Sequence, residues 1–181
     1  MRVTPTPLND AIVLDPAVFG DDRGFFMESF NARQFAQDAK TDVQFVQDNH
    51  SRSARNVLRG LHYQLKAPQG KLVRVAVGEV FDVAVDLRRS SSTFGRWFGV
   101  HLSAQNKRLF WVPPGFGHGF LVLSDSADFL YKTTNYYAPE HERTIAWNDP
   151  GLGIQWPLQG DPLLSKKDAA GVAFRSADLY E

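Results

Sequence analysis

The chain reads as an all-β protein, an antiparallel sandwich or jelly-roll barrel with short accessory helices, on three observations. Aromatic residues make up 13% of its 181 residues, fourteen Gly and ten Pro punctuate them, and period-two alternation is common where helical spacing is scarce. Ring side chains suit pleated surfaces, and Gly and Pro supply the turns between short strands. The length holds one domain with a substantial core, residues 1–181, and no repeat, low-complexity tract or linker divides it.

Strands are expected near 44–50 and 57–65. The segment KLVRVAVGEVFDVAVDLR, 71–88, then alternates on each side of Gly78. It places Val73, Val75 and Val77 on one face, and Phe81, Val83, Val85 and Leu87 on one face of the next strand. A hairpin turning near Gly78 and Glu79 is predicted. A second pairs 96–102 with 107–112 through 103–106, and a third pairs 119–123 with 129–134 across Ser124, Asp125 and Ser126. Asn31 caps a short helix running through Lys40 with Phe35 and Ala39 on one side, and Ser165 caps another starting near Lys166.

Twenty Lys and Arg balance twenty Asp and Glu, so no broad positive field draws the chain to nucleic acid or an anionic membrane. An anion must meet a local cluster. The absence of cysteine removes disulfide scaffolds, thiol catalysis and cysteine-ligated metals. Pro5, Pro7, Asn9 and Asp10 interrupt the apolar residues of 1–14, and no segment approaches the ~18 apolar residues of a spanning helix. A soluble, cytoplasmic protein is expected.

Residues 113–118, PPGFGH, carry the PxGxxH pattern of the second motif of cupin jelly rolls, in which the histidine points into the barrel mouth. The metal-binding first motif requires two histidines and a glutamate. Here 60–64, GLHYQ, offers His62 and Gln64, with Lys66 where negative charge is wanted. That count falls short of a catalytic zinc or iron set, so no metal is expected. His118 is then either a buried imidazole satisfied by a turn carbonyl or a cavity group. His62, close to Arg59, suits an anion site.

Lys71 shares the parity of Val73 and Val75, and Tyr131 that of Phe129 and Thr133. If those faces line the interior, a cation and a phenol enter a cavity, where a desolvated cation needs a partner or a developing negative charge. Otherwise Lys71 snorkels to solvent and Tyr131 is a core aromatic with its hydroxyl at the rim. Asp168, after the capping Ser165, suits a first helical turn by default. Beside His62 it would instead fix the tautomer of the imidazole and raise its basicity.

Together these segments resemble the dTDP-4-dehydrorhamnose 3,5-epimerase family. The likeness runs in order through 19–30 (FGDDRGFFMESF), 45–51 (FVQDNHS), 59–64, 69–74 (QGKLVR), 113–120, 129–132 (FLYK), 136–143 (YYAPEHER) and 164–168 (LSKKD). Gly117 stands where relatives often carry a bulkier residue. The resemblance implies a cupin-like jelly roll that epimerises dTDP-4-dehydro-6-deoxy-D-glucose at C3 and C5, without metal or other cofactor. It implies His62 as base held by Asp168, Lys71 at the enolate oxygen and Tyr131 as acid. For the sugar nucleotide it implies Arg23, Phe26, Glu28, Gln47, Asp48, Asn49, Arg59, His118, Tyr137, Glu142 and Lys167, with Tyr137 stacking on thymine. It further implies a homodimer in which Arg23 and Glu28 serve the neighbour's site. A single-carbon epimerase of the same superfamily, and a noncatalytic sugar-nucleotide-binding jelly roll, are the alternatives.

Overall fold

Thirteen strands and two short helices make up a computed structural model that describes all 181 residues. In chain order the strands are β1 (Arg2–Pro5), β2 (Ile12–Asp15), β3 (Val18–Asp21), β4 (Gly24–Met27), β5 (Gln47–Ala54), β6 (Leu58–Gln64) and β7 (Lys71–Val77). They continue as β8 (Glu79–Asp86), β9 (Trp97–Ser103), β10 (Leu109–Val112), β11 (Phe116–Val122), β12 (Ser126–Thr133) and β13 (Glu142–Thr144). Helices α1 (Ala32–Ala39) and α2 (Lys166–Ala169) begin at the expected caps, with the Asn31 and Ser165 side chains accepting from Gln34 N and Asp168 N. Lys40 closes α1 in the left-handed region, φ 50°.

Two antiparallel sheets face each other as a jelly roll. One has six strands in the order β1-β2-β10-β7-β12-β5, the other five in the order β13-β6-β11-β8-β9, and β3 with β4 forms a separate hairpin. The three hairpins expected from sequence are corrected by this order. Strands β7 and β8, β9 and β10, and β11 and β12 each lie in opposite sheets. The chain crosses the sandwich at every one of those turns, and β7 pairs with β10 and β12 while β8 pairs with β9 and β11. Alternation and turn residues look the same whether a turn folds a strand onto its neighbour or sends it across the core. Gly78 marks one such crossing with φ 77°, where a Cβ would collide with the Ser126 carbonyl oxygen and the Ser124 hydroxyl.

Sixteen buried residues, fourteen of them from the two sheets, fill the space between them, among them Val73, Val75, Phe110 and Ala84. Phe120 and Phe129 stack there across the sheets with centroids 4.2 Å apart. The Val83 and Val85 face of β8, continued by Leu87 just after it, lies on the other side of its sheet, covered by Ile145, Leu152 and Ala177. Phe35 of α1 packs on Leu72, Leu109 and Trp111, closing the outer face of the six-stranded sheet. Both faces of the central strands are therefore apolar, which leaves one end of the sandwich as the place where polar side chains enter the interior.

Candidate active site

A cavity of about 330 Å³ opens at that end, with His62, Lys71, Tyr131 and His118 in its lining. His62 and His118 are directly opposed on β6 and β11 of the five-stranded sheet. Lys71 and Tyr131 come from the facing sheet, where Lys71 opposes Thr133 and Tyr131 opposes Val73. They are thus diagonal neighbours on one face of β7 and β12, the inward face that parity assigns them. The space between the sheets therefore has an imidazole on one side and a phenol with an ammonium on the other.

His62 is tied from behind. Its Nε2 lies 2.6 Å from Asp168 Oδ1, and Asp168 is 3% exposed. The carboxylate also accepts from Gly60 N–H at 3.0 Å and from Ser165 Oγ at 2.5 Å. Asp168 is both a first-turn residue of α2 and the orienting partner of His62, so the two readings open in the sequence coincide. A register shift between His118 and Phe120 lets β6 and β11 approach here. Gly60, with φ 123°, sits so close to Gly119 Cα and the His118 carbonyl that a Cβ could not fit. Burial alone would raise the Asp168 carboxyl, but the His62, Ser165 and Gly60 hydrogen bonds outweigh it and hold the group well below the usual carboxylate range. Burial lowers the His62 imidazole against the pull of Asp168, and the charges of Lys167 and Lys71 lower it further. With the carboxylate ionised, Nε2 carries the proton and Nδ1 keeps a free lone pair, a neutral base near pH 7.

Lys71 makes no ion pair; burial of its ammonium takes it from 10.5 down to about 8, against the raising influence of Glu142 and Asp82. Burial pushes the Tyr131 phenol up, while the Arg59 charge draws it down. His118 is buried with Nε2 2.9 Å from Asp82 Oδ1, so it is satisfied by a carboxylate and not by a turn carbonyl.

Polar anchors ring the mouth of the cavity. Tyr137 donates its hydroxyl to Glu142 Oε2 at 2.9 Å, and Lys167 donates to Glu142 Oε1 at 2.8 Å. Gln47 bridges to Asn49 Oδ1 at 2.9 Å, and Arg59 also lines the cavity. Four residues named from the sequence lie elsewhere. Asp48 falls on the outer face of β5, because Gln47 and Asn49 point inward, and pairs with Lys132 at 2.8 Å. Arg23, Phe26 and Glu28 sit on or beside the β3–β4 hairpin, all exposed, with Arg23 held by Asp21. Ser51, Gln69, Phe120 and Phe129 line the cavity unanticipated. Parity with Gln47 and Asn49 was the available signal for Ser51, whereas the others depend on how the sheets face each other.

A family model described as dTDP-4-dehydrorhamnose 3,5-epimerase matches residues 5–176. A dTDP-4-dehydrorhamnose 3,5-epimerase from Pseudomonas aeruginosa is 63% identical over 180 residues, covering 99% of each chain. One from Salmonella typhimurium is 57% identical over 182 residues, covering 100% of each. The crystal structure of a dTDP-6-deoxy-D-glucose-3,5-epimerase from Legionella pneumophila in complex with dTDP-4-keto-L-rhamnose superposes with a TM-score of 0.97. It is 51% identical, covering 99% of this chain and 97% of that one.

Proposed function

Since the chain belongs to the dTDP-4-dehydrorhamnose 3,5-epimerase family, we propose that its cavity inverts C3 and C5 of dTDP-4-dehydro-6-deoxy-D-glucose with His62 as base, Tyr131 as acid and Lys71 at the ketone. The observation that carries this reading is the placement of the His62–Asp168 pair and the Lys71–Tyr131 pair on facing sheets across one cavity. Both carbons flank the C4 ketone, so loss of either proton leaves an enolate with charge on the C4 oxygen. A preplaced ammonium stabilises that charge in a site of low dielectric. In the D-gluco ring the hydrogens at C3 and C5 are axial on the same face, so one imidazole serves both carbons. Inversion then needs a proton from the other face, which the Tyr131 hydroxyl supplies. The product is dTDP-4-dehydro-L-rhamnose. No net oxidation occurs, since each proton removed is replaced.

Incubation with substrate in deuterated water, followed by NMR, tests the reading. Label at both C3 and C5 of product is expected; label at one carbon identifies a single-carbon epimerase, and none at either identifies a binding protein. The profile of kcat/KM against pH is expected to be a bell. Its acid limb lies below the ordinary imidazole value of 6.5, because His62 must be neutral and its pKa is lowered. Its alkaline limb lies at about 8, because Lys71 must be charged. In kcat the alkaline limb moves upward, since bound diphosphate favours the ammonium.

Arg59, Lys167 and the Gln47–Asn49 edge receive the diphosphate and sugar, His118 contacts the sugar, and Tyr137, held by Glu142, stacks on the base. The enzyme acts as a cytoplasmic homodimer, with Arg23, Phe26 and Glu28 completing the neighbour's site. Exposure of Phe19, Phe25 and Phe26 at 65%, 61% and 70% on one hairpin supports this, as does the unpaired outer edge of β5. Asp48, turned outward, leaves the set of sugar-nucleotide contacts in this reading. Mixing Arg23→Ala and Asp168→Ala enzymes under exchange conditions is expected to restore activity neither has alone, because each heterodimer holds one intact site. No recovery despite exchange would rule out the shared site.

A further inference from the structure

We propose that Gln64, which stands outside the cavity lining, is a positioning residue that fixes the loop presenting Tyr137 and thereby sets affinity for the nucleotide; the inference rests on the reading of Tyr137 as a nucleotide contact. Gln64 occupies the place in GLHYQ where a metal-binding cupin carries its glutamate, and it is 3% exposed. Its amide is fully engaged with backbone. Nε2 donates to the Ala67 carbonyl at 2.9 Å and the Tyr136 carbonyl at 3.3 Å, and Oε1 accepts from Ala138 N–H at 2.9 Å. Tyr137 lies between the two loop residues so held.

Asn135, just before these tyrosines, is anchored by its side chain to the Pro68 carbonyl and by its own carbonyl to Gln69 Nε2 and Thr133 Oγ1. Tyr136 and Tyr137 are 69% and 54% exposed, so no packed core fixes their position. Beyond Gln64, Tyr137 is held by its N–H to Gln47 Oε1 at 3.2 Å and its hydroxyl to Glu142. Only a neutral amide provides two donors and an acceptor in this arrangement. Gln64→Glu would set a carboxylate oxygen against two carbonyls, and Gln64→Met keeps the length but removes all three hydrogen bonds. His62, two residues away, is held separately by Asp168, so the chemical step does not depend on this brace.

The test measures kcat, KM and dTDP affinity for Gln64→Glu and Gln64→Met, each alone and combined with Tyr137→Ala. Either variant is expected to raise KM and weaken dTDP binding about tenfold while kcat stays within about twofold. In the Tyr137→Ala background the same change is expected to have nearly no further effect. An equal effect in both backgrounds, a fall in kcat at unchanged KM, or failure of both variants to fold would each make Gln64 a structural residue and overturn the proposal. Unchanged dTDP affinity in Tyr137→Ala alone, by contrast, would overturn the reading of Tyr137 as a nucleotide contact and the proposal with it.

Discussion

In His62→Ala, turnover falls by about 10⁴-fold while affinity for dTDP stays within about threefold of the parent. In the proposed mechanism the imidazole faces the sugar and not the diphosphate, so its loss removes proton abstraction and leaves the anchors at the mouth intact. The Asp168 variants divide the effect. Asp168→Ala frees the ring to turn and choose the wrong tautomer, and removes the charge that stabilises the imidazolium; a loss of about 10³-fold in kcat is expected. Asp168→Asn keeps an oxygen that can accept from both Gly60 N–H and His62 Nε2–H, so orientation survives and only charge is lost. Its kcat is expected to fall about 10²-fold. Steady-state kinetics with parallel dTDP titration checks all three, and a matched loss of binding and turnover would show that base and anchor are not separable.

Lys71→Met carries the next largest effect, a drop in kcat of about 10²- to 10³-fold, the scale of removing one charge-stabilising donor from a preorganised site. Its diagnostic is the pH profile. The proposed mechanism assigns the alkaline limb, at about 8, to the Lys71 ammonium, and Lys71→Met should abolish that limb while leaving the acid limb of His62 in place. A limb that persists unchanged would assign it to another group and remove Lys71 from the reaction.

Much of this site was legible in the sequence, for reasons that differ by residue. Parity groups Lys71 with Val73 and Tyr131 with Phe129, since alternation in a strand fixes which side chains share a face, but it leaves open whether those faces line the interior or reach solvent. Ser165 and Asn31 were readable as caps because capping is local chemistry between residues three apart. Strand pairing was not readable. Whether β8 folds back on β7 or crosses to the other sheet depends on contacts distant in sequence, and alternation is blind to it. The approach of Asp168 to His62 spans 106 residues and follows from α2 docking against β6, so the spacing of the two could not disclose it. Strands β1 to β4 went unseen because each has four residues, too few to establish a period among the prolines and glycines around them. Asp48 shows the opposite case: family likeness named it together with Gln47 and Asn49, and only the structure separates them by turning it to the outer face of β5.

The central claim is that proton removal and proton delivery come from opposite sheets. Tyr131→Phe tests it most directly, by following deuterium from solvent into recovered substrate and product. With the phenol gone and His62 intact, the base can return a proton only to the face it came from. Deuterium should enter C3 and C5 of the substrate with configuration retained, while inverted product falls by about 10²-fold or more. Inversion at the parent rate, or no exchange at either carbon in a folded variant, would contradict it.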